Sequence, residues 1–216
     1  MRSRTRTDLK PFAAASALAC AALLALWPSA ASAQSYAALP QASAAAVPVG
    51  DARPIAAWVT FCQTYAAECA LDPGESSLVA LTPALWSVVV SVNKRVNKSV
   101  RAMTDMDHWS VPDRWDLAED GAGDCEDYQL LKRKMLVAAG LPRRAMRMTV
   151  VIDEKGEGHA VLTLMTDRGD YILDNKTGDV LPWYRTGYTF IKRESQGNLA
   201  WVSLGGVTSP VTTANR

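Results

Sequence analysis

The chain lacks several features that would decide its class outright. Neither sign of charge is in excess: 23 Lys and Arg stand against 22 Asp and Glu, a formal net charge of +1. With no basic cluster in the central part, that balance excludes an electrostatic nucleic-acid surface and a polybasic membrane segment. There is no long apolar run. The longest, FAAASALACAALLALW at residues 12–27, is about 16 residues, below the roughly 20 needed to span a bilayer as a helix. No internal repeat is visible. Histidine is limited to His108 and His159, and cysteine to Cys20, Cys62, Cys69 and Cys125.

The short apolar run has basic residues before it (Arg2, Arg4, Arg6, Lys10) and ends at Ala31-Ser32-Ala33. This is the pattern of a cleaved export signal over residues 1–33, rather than a stable membrane anchor. A lipid anchor through Cys20 fits less well, because Ala17 stands where Leu is usual. Residues 34–53 are rich in Ala, Ser, Pro and Gln, a composition that buries little and predicts a disordered linker. Residues 205–216 read as a flexible tail. Between them, residues 54–204 are long enough for one domain with its own core.

In an exported chain the three remaining cysteines leave one unpaired. Cys62 and Cys69 are seven positions apart. A straight helix would hold them about 10 Å apart, so pairing requires a break or tight turn between them. Cys125 is then the free thiol.

Apolar positions Leu85, Val88, Val89, Val92 and Val96 recur at helical spacing opposite Asn93, Lys94, Asn97 and Lys98, with Thr82 as N-cap and Pro83 in the first turn. The polar stretch TDMDHWSVPDRWDLAEDGAG follows and predicts a surface connector. A second helix from about Asp124 to Ala139 is closed by Gly140 and Pro142, with Tyr128, Leu131, Met135 and Ala138 as its buried stripe. Thereafter the period becomes two: MRMTVVI, HAVLTLM, DYILDN, GYTFIKRE and LAWVSLG read as strands. Helices followed by an antiparallel sheet predict an α+β domain.

Cys125 falls at the N-terminus of the second helix, where unpaired amides and the helix dipole favour a thiolate, and Gly121 and Gly123 permit a sharp entry. The neighbouring Asp124, Glu126 and Asp127 oppose this, because negative charge raises a thiol pKa. A nucleophilic thiol calls for an imidazole. His159 begins a strong strand pattern, whereas His108 lies in the connector. If TDRG (residues 166–169) is a four-residue loop, Met165 faces Asp170, and Asp174 lies diagonally from His159 on the same face, within side-chain reach. A carboxylate interrupting YILDN is costly unless partnered. Cys125, His159 and Asp174 thus form a candidate triad.

GDCEDYQLLKR, GHAVLTL and YILDN, preceded by VNKRVNKSV and DHW, closely resemble the bacterial transglutaminase-like cysteine peptidases, over roughly Trp58 to Glu194. The resemblance implies a transglutaminase/papain-like cysteine protease core in the periplasm. Cys125 would be the nucleophile, His159 the general base and acid, and Asp174 its orienting carboxylate. It further implies that Asp124 and Glu126, with Asp127 as a third ligand, hold Ca²⁺, as in LapG-type members. Hard oxygen donors suit that ion, which would offset the carboxylates beside the thiol. The alternative is that these acids cap the helix. Implied partners are a protein substrate, a surface adhesin cut to control biofilm attachment, and an inner-membrane receptor under cyclic-di-GMP control. The Cys125 amide, with Trp109 or Trp115 nearby, would form an oxyanion site. Acyl transfer to an amine and an inactive calcium-dependent binding domain are the other readings the triad allows.

Overall fold

The computed structural model describes residues 38–206, so the expected export signal, residues 34–37 of the expected linker and residues 207–216 of the expected tail lie outside the described residues. Strand β1 (Gly50–Ala52) precedes helices α1 (Ala56–Thr64), α2 (Ala66–Cys69) and α3 (Pro83–Ser99). Strand β2 (Arg101–Ala102), helix α4 (Asp105–Trp109) and strand β3 (Ala122–Gly123) then lead into helix α5 (Cys125–Ala138). The remaining strands are β4 (Met146–Ile152), β5 (Gly158–Thr166), β6 (Gly169–Leu173), β7 (Leu181–Pro182), β8 (Thr189–Glu194) and β9 (Trp201–Ser203). Strands β1-β9-β8-β4-β5-β6-β7 form, in that order, one antiparallel sheet, and α5 packs on β4 and β5. The α+β expectation holds, and β4 has the bounds expected from its alternation.

Helix α3 begins as expected, with the Thr82 hydroxyl accepting from the Leu85 amide at 3.2 Å and Pro83 in the first turn. Its buried face is rotated from the expected stripe: Trp86, Val89, Val90, Val92, Asn93 and Val96 are inside, while Leu85 and Val88 are half-buried. Asn93 belongs there because its amide donates to the Thr177 carbonyl at 3.2 Å. Helix α5 departs further. Lys132, Arg133 and Leu136 are buried, whereas Leu131 and Met135 are half-buried and Ala138 is exposed. Apolar periodicity misplaces this face because the helix buries charged groups with dedicated partners. The connector is likewise no surface strand of polar chain: Asp105, Trp115, Leu117 and Ala118 are all buried.

Helices α1 and α2 are separated by a break at Tyr65 (φ −117°, ψ 57°), and Cys62 and Cys69 are disulfide-bonded with their Cα atoms 5.5 Å apart. The required break is where the spacing put it.

The expected linker is ordered over its described part. Residues 38–49 pass from β6, where the Tyr171 hydroxyl donates to the Gln41 carbonyl at 2.6 Å and the Ala46 amide to Asp170 Oδ2 at 3.0 Å, to β9, where the Val49 amide donates to the Ser203 carbonyl at 2.9 Å. Strand β1 adds an edge to β9. This segment has little apolar surface of its own; it is held by main-chain groups satisfied on the sheet, which composition does not register. Gly169 (φ +102°) admits it, because a Cβ there would fall 2.4 Å from the Ser43 carbonyl oxygen. Of the expected tail, Gly206 donates its amide to the Phe190 carbonyl at 3.0 Å.

Glu194, at the end of β8, fastens the helices to the sheet. Its buried carboxylate accepts from Trp58 Nε1 of α1 (2.6 Å), Arg133 Nη1 of α5 (2.7 Å) and the Met148 amide of β4 (2.8 Å). Burial alone would raise this carboxyl, but Arg133 and Arg147, with the Met148 amide and Trp58, hold it below the usual range. Removing one partner leaves a buried charge unpaired. We therefore expect Glu194→Ala and Arg133→Met each to lose about 3–5 kcal/mol of stability in urea unfolding. The double variant should lose much less than the sum; additive losses would show that the two residues are not coupled.

Candidate active site and metal centre

The entry to α5 is fixed before any chemistry is considered. Strands β2 and β3 pair in parallel, with Arg101 and Met103 amides donating to the Gly121 and Gly123 carbonyls at 2.9 and 3.0 Å. Gly121 has φ +84°, and a Cβ on Gly123 would lie 2.5 Å from Asp127 Oδ2. Asp127 in turn accepts from the Asp124 amide (3.2 Å) and the Asp116 amide (2.6 Å). The two glycines and Asp127 thus set the turn that places Cys125 as the first residue of the helix.

His159 is the second residue of β5, and β5 and β6 pair in the expected register, with Met165 opposite Asp170 and Leu162 opposite Leu173. Its Nε2 lies 2.9 Å from Asp174 Oδ1. The same oxygen accepts from the Lys176 amide at 3.0 Å, and Oδ2 accepts from the Tyr188 hydroxyl at 2.6 Å. Burial would raise the Asp174 carboxyl, yet His159, the Lys176 amide and Tyr188 together lower it. The Tyr188 ring also stands edge-on to the imidazole, with centroids 5.8 Å apart. Tyr188 gave no sequence signal, since its position relative to His159 depends on the β4–β8 bulge between Val150 and Val151.

Cys125 is 1% exposed, and α5 lays it against β5 at Ala160, the residue after His159. Its thiol donates to Glu126 Oε2 at 3.1 Å rather than to the imidazole. Burial, then Glu126 and Asp124, push the thiol pKa well up, and the Ala160 amide works the other way. The structure therefore joins His159 to Asp174 directly, and sets Cys125 beside them with its proton turned to the acids. Trp109 stacks on His108 (centroids 4.0 Å) beneath the Arg114 guanidinium, and Trp115 packs edge-on to Trp201. Trp109 Nε1 is buried without a hydrogen-bond partner.

The acidic cluster is larger than Asp124, Glu126 and Asp127. Asp105 at the start of α4 and Asp113 in the loop beyond it point to the same place. Oxygens of Asp105, Asp113 and Glu126 lie within 4.8 Å of one another, as do those of Asp105, Asp124 and Asp127. Both carboxylate oxygens of Asp124, Oε1 of Glu126 and Oδ1 of Asp105 are buried without a hydrogen-bond partner. Such orphaned, all-oxygen donors fit a hard divalent cation. Asp127 is different, since amides already occupy its oxygens. Asp105 and Asp113 escape a sequence reading because nothing in TDMD or VPDRWD signals that the connector folds back over the helix entry.

A cysteine at a helix start, followed by antiparallel strands that carry a paired His and Asp, defines a transglutaminase-like α+β architecture. The chain belongs to the bacterial transglutaminase-like cysteine proteinases (BTLCP), whose sequence profile matches residues 49–209, and is a cysteine peptidase. Calcium-bound LapG of Legionella pneumophila is 21% identical, with a TM-score of 0.44 over 61% of this chain and 83% of that one. The EGTA-treated form is 20% identical, with a TM-score of 0.44 over 62% and 80%. No curated protein sequence matches significantly. Among the described residues no helix is long and apolar enough to cross a membrane.

Burial and mutual repulsion raise the cluster's pKa values: Asp113 and Asp124 to about 6, Asp127 to about 8, and Glu126 well above its ordinary value. An acid whose folded pKa is raised binds more protons folded than unfolded, so deprotonation removes stability as pH rises. In chelator, the melting temperature should fall between about pH 4 and pH 8. Ca²⁺ should then restore far more at pH 8 than at pH 5. Asp124→Asn/Glu126→Gln should flatten the profile and remove the calcium response. An equal response at both pH values would contradict cation binding at these carboxylates.

Proposed function

We propose that this cysteine peptidase is an exported, calcium-dependent endopeptidase with Cys125 as nucleophile, His159 as general base and acid, and Asp174 as the orienting carboxylate. The observation that carries it is the His159–Asp174 pair at 2.9 Å beside the strand residue against which the Cys125 thiol lies. With Nε2 committed to Asp174, Nδ1 is the nitrogen left to exchange a proton with the thiol. Asp174 holds that tautomer and stabilises the imidazolium, while Tyr188 and the Lys176 amide hold Asp174. The thiolate attacks the peptide carbonyl, His159 returns the proton to the leaving amine, and water releases the acyl group. The Cys125 amide, unpaired in the first helical turn, is the donor proposed for the developing oxyanion.

Asp105, Asp113, Asp124 and Glu126, backed by Asp127, would hold the Ca²⁺. The ion would supply positive charge where the acids now oppose the thiolate. Together with the leader-like residues 1–33, the motif resemblance favours a periplasmic location. It also favours a surface adhesin as substrate, cut in an Ala- or Gly-containing linker to release cells from a biofilm. An inner-membrane receptor under cyclic-di-GMP control would be the partner that withholds the protease.

Two measurements test this reading. Labelling by iodoacetamide in Ca²⁺ should modify Cys125 faster than a free thiol, and His159→Ala should slow it at least about tenfold. A Cys125 that reacts no faster than a free thiol would remove the basis for a triad. Proteins shed by cells carrying Cys125→Ser, or by wild-type cells in chelator, should lack a species that wild-type cells release with calcium. Identical shedding in every arm would reject the adhesin substrate.

A further inference from the structure

Two buried polar residues on α5 have no part in the chemistry above. Gln129 lies one turn beyond Cys125, on the same face, and Lys132 follows it; both are fully buried. Gln129 Nε2 donates to Asn175 Oδ1 at 3.3 Å and approaches the Ala160 carbonyl at 3.5 Å. Lys132 Nζ donates to Gln129 Oε1 at 3.1 Å. Ala160 is the residue after His159, and Asn175 the residue after Asp174. One carboxamide therefore reaches from the helix of the thiol to the strand of the imidazole and to the turn after β6 that carries the carboxylate.

We infer that Gln129, oriented by Lys132, is a positioning residue that sets Cys125 against the His159–Asp174 pair; this rests on the catalytic reading proposed above. The ammonium fixes which way the amide faces. A flipped Gln129 would point its NH₂ at an ammonium and its oxygen at two acceptors. From the other side, Asn97 Nδ2 of α3 donates to the Asp174 and Thr177 carbonyls, each at 2.8 Å, so the turn after Asp174 is gripped between two helices. A helix needs no such groups merely to pack on a sheet. Apolar side chains of similar size would do so without burying a charge. Burial pushes the Lys132 amine down to about 7, a penalty that packing alone does not explain.

The test is hydrolysis of benzyloxycarbonyl-alanine p-nitrophenyl ester by the purified enzyme in Ca²⁺, with melting temperatures measured in parallel. Lys132→Met and Gln129→Leu should lower kcat by about 10- to 100-fold, with KM little changed; the melting temperature should hold in Lys132→Met, while Gln129→Leu, which strands the buried ammonium, also lowers it. Gln129→Glu keeps the partner of Lys132 but loses both amide donors, so it should match Gln129→Leu in kcat. Adding Asn175→Ala to Gln129→Leu should have little further effect. Undiminished kcat in Lys132→Met and Gln129→Leu, or a loss that merely follows the melting temperature, would overturn the inference and leave the triad standing. Ester hydrolysis by Cys125→Ser at the wild-type rate would instead overturn the catalytic reading itself.

Discussion

A single buried carboxylate ties helix α5, with Cys125 at its start, to the sheet. Glu194 takes hydrogen bonds from α1, α5 and β4 at once, so the angle of α5 on the sheet follows from charge pairing as well as apolar contact. Hydrophobic burial is non-directional and tolerates small slides and rotations. A guanidinium bonded to a fixed carboxylate in a water-free site does not. With Arg133 eight positions beyond Cys125 on one rigid helix, a constraint at one end of the element is felt at the other.

The acids at the helix entry follow the opposite logic. Glu194 has two guanidinium counter-charges built into the fold, whereas Asp124 and Glu126 face chiefly other carboxylates and the thiol. Their raised pKa values and unsatisfied oxygens are two signs of the same deficit. Like charge concentrated in this way is unfavourable as it stands, and the thiol shares the site because it donates its hydrogen bond to Glu126. On the proposed reading, the state of the Cys125 thiol and the occupancy of the acidic cluster are one equilibrium seen from two positions.

Local pattern made much of this legible. Alternation located β4 through β6, and the register with Met165 opposite Asp170 put His159 and Asp174 on one face, although the turn is two residues rather than the four expected because Thr166 pairs with Gly169. Thr82, Pro83 and Gly140 marked helix ends through their own backbone chemistry. The failures share a physical cause. Where charged or polar residues are buried against specific partners, as with Asn93, Lys132 and Arg133, apolar period mistakes inside for outside. Where chain is held by main-chain bonds, as in residues 38–49, composition mistakes order for disorder. Asp105, Asp113 and Tyr188 reach the site only through tertiary contacts, which no spacing rule reports.

The Cys62–Cys69 bond stands close to this arrangement. Helix α2, which it clasps to α1, presents the Glu68 carbonyl to Arg133 Nη2 at 3.2 Å and to Arg143 Nη1 at 2.8 Å. Arg133 is the same side chain that holds Glu194. The disulfide is thereby linked, through one carbonyl and one guanidinium, to the seating of α5. A chain folding among reductants would lack that clasp, and α2 would be free to move the Glu68 carbonyl away from both guanidiniums.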